Sequence, residues 1–107
     1  MIQEEFDKAI DLLIKNNNRD EIWNTCALTE GLNYNKVIDY YVDTRDSFYI
    51  AELVSILAED LDNEYLVNKM INTQDKDFIR ESLNYCNKIM QYSIDPICLE
   101  KLLEYVK

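Results

Sequence analysis

The sequence predicts an all-α fold of six to seven helices, stacked as antiparallel α-hairpins in a single domain over residues 1–107, as a short α-solenoid or helical bundle. Its 107 residues suit one domain with one core. The chain contains one glycine and one proline, too few for the turns of a β-rich fold. Apolar residues recur at helical spacing along most of its length.

The most apolar stretch, Ser47–Leu61, is predicted to form the central helix. Ten of its fifteen residues are apolar or aromatic. Three of its five polar residues, Glu52, Ser55 and Glu59, fall on one narrow helical stripe. A helix that is apolar around most of its circumference is buried on most of it. Because the stretch is also too short and too acidic to cross a bilayer, we expect other helices to cover it on both sides.

Three helices are predicted before this central helix, each with one apolar face: Gln3–Asn16, Arg19–Glu30 and Tyr34–Asp43. The asparagine run 16–18 ends the first of them, since asparagine prefers caps and turns. Gly31 supplies the left-handed residue that ends the second. Asp46 or Ser47 is expected to cap the central helix, where a polar side chain accepts free backbone N–H groups.

Three more helices are predicted after it, each with an acidic residue at or just before its start: 62–72, Phe78–Tyr92 and 95–107. Asp75 or Asp77 is expected to cap the second of these. The pair Asp95-Pro96 is a strong start signal for the third, with aspartate at the cap and proline at the first helical position.

The apolar positions of alternate helices repeat at nearly constant spacing. Four apolar quartets align at offsets of 28, 29 and 32 residues: Ala9, Ile10, Leu13, Ile14; Val37, Ile38, Tyr41, Val42; Leu66, Val67, Met70, Ile71; Cys98, Leu99, Leu102, Leu103. Such spacing indicates stacked α-hairpins, although an irregular bundle with loops of similar length would also produce it. The pattern resembles a short, degenerate HEAT-like α-solenoid with three hairpins and a closing helix.

The residues needed for common catalytic and cofactor sites are missing from the sequence. The absence of histidine excludes Ser-His-Asp and Cys-His catalysis, as well as the His-containing zinc and iron motifs. The cysteines form no zinc spacing, and one glycine cannot build a phosphate-binding loop. The acidic run 60–64 lacks both the glycine and the final glutamate of a calcium loop. We therefore expect no enzyme, no cofactor and no metal.

The net charge of the chain indicates what kind of partner it attracts. The net charge is −10 and the pI is about 4.3, so the protein repels nucleic acid and anionic membranes and attracts basic proteins. The alternative is that the acidic surface serves only to keep the protein soluble.

The cysteines indicate a reducing compartment. Cys26, Cys86 and Cys98 are odd in number and lie among apolar positions, which indicates reduced core thiols. Because the acidic start of the chain does not resemble a signal peptide, a cytoplasmic location is expected.

The hairpin repeat predicts where a partner would bind. Polar residues of the second helix of each hairpin should align, and in solenoids such helices line the concave face. Tyr49 is expected to border this face, and covering a neighbouring hairpin is a second expectation for it. Tyr40 is flanked by acids and is expected to face solvent or a partner. The candidate partner-binding residues are Asp39, Tyr40, Asp43, Tyr49, Glu52, Glu59 and Glu81.

The leading hypothesis is an acidic protein-binding module that grips a basic partner. In size, charge and helical architecture the chain resembles the small acidic immunity proteins of bacterial toxin systems. That resemblance implies neutralisation of a cognate toxin, such as a basic nuclease, by direct binding, without direct contact to nucleic acid or membrane. A structural or adaptor subunit is the alternative, and a nucleic-acid mimic is a third hypothesis.

Overall fold

Within residues 2–85 and 94–107, which the computed structural model describes, the chain forms seven α-helices and no strand. The helices are α1 (Gln3–Lys15), α2 (Arg19–Ala27), α3 (Asn35–Asp43), α4 (Ser47–Leu57), α5 (Asn63–Asn72), α6 (Lys76–Tyr85) and α7 (Pro96–Tyr105). A short 3-10 turn, Ala58–Asp60, follows α4. The all-α prediction is confirmed. None of these helices is long and apolar enough to span a membrane.

The helices pack as two rows. The row α2, α4, α6 is formed by the second helices of successive hairpins, and the row α1, α3, α5, α7 by the first helices. Each first helix also packs against the second helix that follows it, so that α1 contacts α2, α3 contacts α4, and α5 contacts α6. The central helix α4 therefore has α2 on one side, α6 on the other and α3 beneath it.

One turn geometry recurs in all three hairpins, at residues 16–18, 44–46 and 73–75. The middle residue of each turn has a left-handed backbone: Asn17 (φ 55°), Arg45 (φ 56°) and Gln74 (φ 57°). The third residue caps the next helix by accepting a backbone N–H through its side chain: Asn18 from Glu21, Asp46 from Tyr49 and Asp75 from Phe78. These turns are 28 and 29 residues apart, which is the spacing of the apolar repeat. Turns of the same backbone conformation thus recur at the spacing of the apolar repeat.

The core is centred on α4, as the sequence predicts. Among the described helices α4 has the most buried residues: Ser47, Ile50, Ala51, Leu53, Val54 and Leu57. Among the described helices, the repeat quartet is fully buried only in α3. In α1 only Ile10 of the quartet is buried, and in α7 only Cys98 and Leu102. Burial therefore falls from the centre of the stack towards both ends.

Three predicted helix boundaries need correction. The central helix ends at Leu57 rather than Leu61, because Ala58 takes a positive φ of 41° that no α-helix contains. The second helix ends at Ala27 instead of Glu30, while Gly31, at φ 71°, lies in the loop beyond it. The sixth helix begins at Lys76, since Asp75 is its cap. Its predicted end at Tyr92 and the predicted core position of Cys86 lie outside the described residues.

Candidate functional site

Two aromatic side chains form an exposed pair where α4 meets α6. The rings of Phe48 and Tyr85 meet edge to face, with centroids 5.9 Å apart. Phe48 is 47% exposed and Tyr85 is 56% exposed. Ile56, two turns along α4 from Phe48, is also exposed. Large aromatic side chains left in water on adjacent helices are typical of a protein-binding surface.

Acidic side chains flank this pair. Glu52 follows Phe48 by one helical turn and Glu81 precedes Tyr85 by one turn, so each acid lies on the same helix face as its ring. Within residues 2–85 and 94–107, neither Glu52 nor Glu81 forms an ion pair. A shallow cavity beside Tyr85 is lined by Glu81 and Asn84. We call the surface of Phe48, Glu52, Glu81 and Tyr85 the α4–α6 face.

Tyr49 connects this face to the neighbouring hairpin. Its ring stacks on the buried Tyr41, with centroids 5.2 Å apart and planes 15° apart, and it touches Phe48 edge to face. Its hydroxyl donates to a carboxylate oxygen of Asp20 on α2. That hydrogen bond, together with burial, raises the pKa of Tyr49 to about 12. Tyr49 therefore covers the neighbouring hairpin and also borders the α4–α6 face.

The three predicted site residues of α3 lie elsewhere and contact neighbouring hairpins. Tyr40 was expected to face solvent or a partner; it is half-buried, and its hydroxyl donates to the Asn17 side chain of the first hairpin. Asp39 accepts a hydrogen bond of 2.6 Å from the Tyr65 hydroxyl. Lys69 pairs with Asp39 at 3.5 Å and with Asp43 at 3.7 Å. The negative charge of α3 is thus partly neutralised within the fold.

Glu59 does not continue the stripe of Glu52 and Ser55, contrary to the prediction. Because α4 ends at Leu57, Glu59 belongs to the 3-10 turn, where it is exposed. It lines a different shallow cavity together with Asn63 and Asp95. Of the seven predicted site residues, only Glu52 and Glu81 lie on the α4–α6 face, with Tyr49 at its border.

Sequence reasoning missed the aromatic pair itself. Phe48 and Ile56 were counted only among the apolar residues of the central helix, and Tyr85 was given no role. A signal was nevertheless present, because Phe48, Glu52 and Ile56 are spaced four residues apart and so share one helix face. Helical spacing could therefore have shown that the polar stripe of α4 also carries two large apolar side chains.

The described cysteines are structural. Cys26 and Cys98 are free and buried, which confirms their predicted place in the core. Burial raises the pKa of the Cys26 thiol to about 12 and also raises that of Cys98, so neither is an activated nucleophile. Among residues 2–85 and 94–107, no group of three or more Cys, Asp or Glu side chains is arranged to hold a metal ion.

No protein-family model, curated protein or solved structure matches this chain. What its surface binds is therefore inferred from the chemistry of the surface.

Proposed function

We propose that the protein is an acidic protein-binding module that grips a basic protein through the α4–α6 face. The observation that carries this proposal is the exposed Phe48–Tyr85 pair, beside the carboxylates of Glu52 and Glu81, which form no ion pair within residues 2–85 and 94–107. Aromatic side chains supply most of the binding energy in many interfaces, because they bury a large area and lose little entropy. Flanking carboxylates then select a partner of opposite charge.

The charge of the whole chain supports the same partner. A net charge of −10 attracts a basic protein from a distance and accelerates its encounter with the surface. The acids of α3 pair with Lys69, whereas Glu52 and Glu81 take part in no ion pair within residues 2–85 and 94–107. A basic partner therefore meets less compensated carboxylates on α4 and α6 than on α3.

The proposed biological role is that of an immunity protein, which neutralises a cognate basic toxin by binding it. A nuclease is the toxin class that best suits this chemistry, because carboxylates can occupy a cationic site built for phosphates. The buried free thiols Cys26 and Cys98 support action in a reducing, cytoplasmic setting.

Affinity capture from the source cell tests this function. The bait is the wild-type protein, and the test variant is Phe48→Ala/Tyr85→Ala. Leu12→Ala/Leu28→Ala is the matched control, since both leucines are exposed and lie on the first hairpin. Wild type and control should retain the same basic protein at low salt, and the test variant should lose it.

The captured protein is then assayed for toxicity and for nuclease activity, with and without an equimolar amount of this protein. Inhibition of that activity supports the immunity role. Equal capture by all three baits, or capture of acidic or neutral proteins alone, would contradict the proposal, and a neutral partner held independently of salt would favour an adaptor subunit.

A further inference from the structure

The fold contains two internal sites in which an arginine lies against both an aromatic ring and a carboxylate. Arg19 of the first hairpin lies 5.8 Å from the ring centre of Tyr40 and 2.7 Å from an oxygen of Asp46, both in the second hairpin. A second arginine makes the same two kinds of contact with the third hairpin.

Arg45 of the second hairpin lies 5.6 Å from the ring centre of Phe78 and 3.3 Å from an oxygen of Asp75. In both sites one hairpin supplies the guanidinium and the next supplies the ring and the acid. Each junction is therefore closed by an arginine that makes a cation–π contact and an ion pair together.

The α4–α6 face presents the same chemical groups to solvent. Phe48 and Tyr85 supply the rings, and Glu52 and Glu81 supply the carboxylates. In the two internal sites the cation comes from the chain itself. At this face, by contrast, no lysine or arginine among the described residues lies over either ring or pairs with either acid.

We infer that the Phe48–Tyr85 pair receives an arginine side chain of the basic partner, with its guanidinium on the rings and paired to Glu52 or Glu81. This inference rests on the proposed function and adds the identity of the contacting side chain. Arginine suits the site better than lysine, because its planar and weakly hydrated guanidinium stacks on aromatic faces while its fork of N–H donors binds a carboxylate. Lysine carries the same charge, but its ammonium group is a compact and strongly hydrated point charge.

Two peptides of equal charge, nona-arginine and nona-lysine, test this inference by isothermal titration calorimetry. The wild-type protein should bind nona-arginine about two- to fivefold more tightly than nona-lysine, as expected for an exposed cation–π contact. Phe48→Leu and Tyr85→Leu should each reduce that ratio towards one, because leucine keeps the apolar area and removes the ring. Glu5→Gln, an exposed change on α1, should leave the ratio as in wild type.

Nuclear magnetic resonance locates the binding, since the ring signals of Phe48 and Tyr85 should shift with nona-arginine. Circular dichroism checks that each variant is folded. A ratio of one for the wild type, or a ratio unchanged in both leucine variants, would overturn the arginine inference. The proposed function would survive that result if Glu52→Gln weakened both peptides equally. If neither peptide moved any signal of the α4–α6 face, both the inference and the proposed function would be wrong.

Discussion

Arg19 donates a hydrogen bond of 2.7 Å to Asp46, and this ion pair joins the first hairpin to the second. The same aspartate caps α4 by accepting the backbone N–H of Tyr49 at 3.2 Å. Its side chain is only 12% exposed, so the pair is partly shielded from water. The hydrogen bond with Asp46 raises the pKa of Arg19 above its usual value. One carboxylate thus stabilises both a helix end and a junction between hairpins.

The double role of Asp46 predicts a larger loss of stability than a cap alone would cause. Asp46→Ala should lower the free energy of unfolding by about 1–3 kcal/mol, from the lost cap and the lost ion pair. Asp62→Ala is the matched control, because Asp62 caps α5 and forms no ion pair in the described structure. Its cost should be about 1 kcal/mol. Urea unfolding measures both values, and an equal cost would show that the Arg19 contact contributes nothing.

Because the middle residue of each hairpin turn has a left-handed backbone, replacing it with glycine should stabilise the fold. Gln74 has a φ of 57°, which glycine adopts without the steric cost of a side chain. Gln74→Gly should therefore raise the free energy of unfolding by up to about 1 kcal/mol, and Gln74→Val should lower it by about 1 kcal/mol. Glu5→Gly inside α1 should be destabilising, which gives a control of opposite sign. Denaturant unfolding compares the stability of each variant with that of the wild type. A lower stability of Gln74→Gly would contradict the turn geometry.

Much of the fold could be predicted from local sequence signals. Asp46 and the pair Asp95-Pro96 mark helix starts by their side-chain chemistry, and the structure shows both as caps. The apolar spacing also identified α4 as the centre of the core. The end of α4 could not be predicted, because Ala58 is a good helix former and nothing local indicates its positive φ.

The candidate site was predicted less well, because its members depend on contacts between hairpins. Tyr40 and Asp39 look like free surface groups in the sequence, yet they bond to Asn17 and Tyr65, which lie 23 and 26 residues away. Periodicity describes one helix at a time and cannot show such partners. For the same reason, it could not reveal that Phe48 meets Tyr85.

The tyrosine hydroxyls predict a loss of stability at alkaline pH. Hydrogen bonds to Asp20 and Asp39 raise the pKa of Tyr49 and of Tyr65 to about 12. In the unfolded chain tyrosine titrates near pH 10, so this stabilisation is fully present below about pH 10 and is lost as the pH rises to about 12. Tyr49→Phe/Tyr65→Phe should flatten the fall in the free energy of unfolding across this window. Identical pH slopes in the variant and the wild type would contradict the role of these hydroxyls.

The buried thiols predict slow chemical modification. Cys26 and Cys98 should react with iodoacetamide slowly in the native protein and quickly after denaturation, because their burial hinders access and disfavours the thiolate. Peptide mapping by mass spectrometry reports each cysteine separately. Native labelling of Cys26 as fast as in the denatured chain would mean that the core around α2 opens freely.

The most direct test of the central claim is the rate at which the captured basic partner associates with the α4–α6 face. Stopped-flow measurements at low salt would compare the wild type with Glu52→Lys/Glu81→Lys. Glu5→Lys/Glu100→Lys is the matched control, since it changes the net charge equally at exposed positions on α1 and α7. We predict that the face variant associates on the order of tenfold more slowly than the control variant, and that added salt removes the difference. Equal association rates for the two variants would contradict binding through this face.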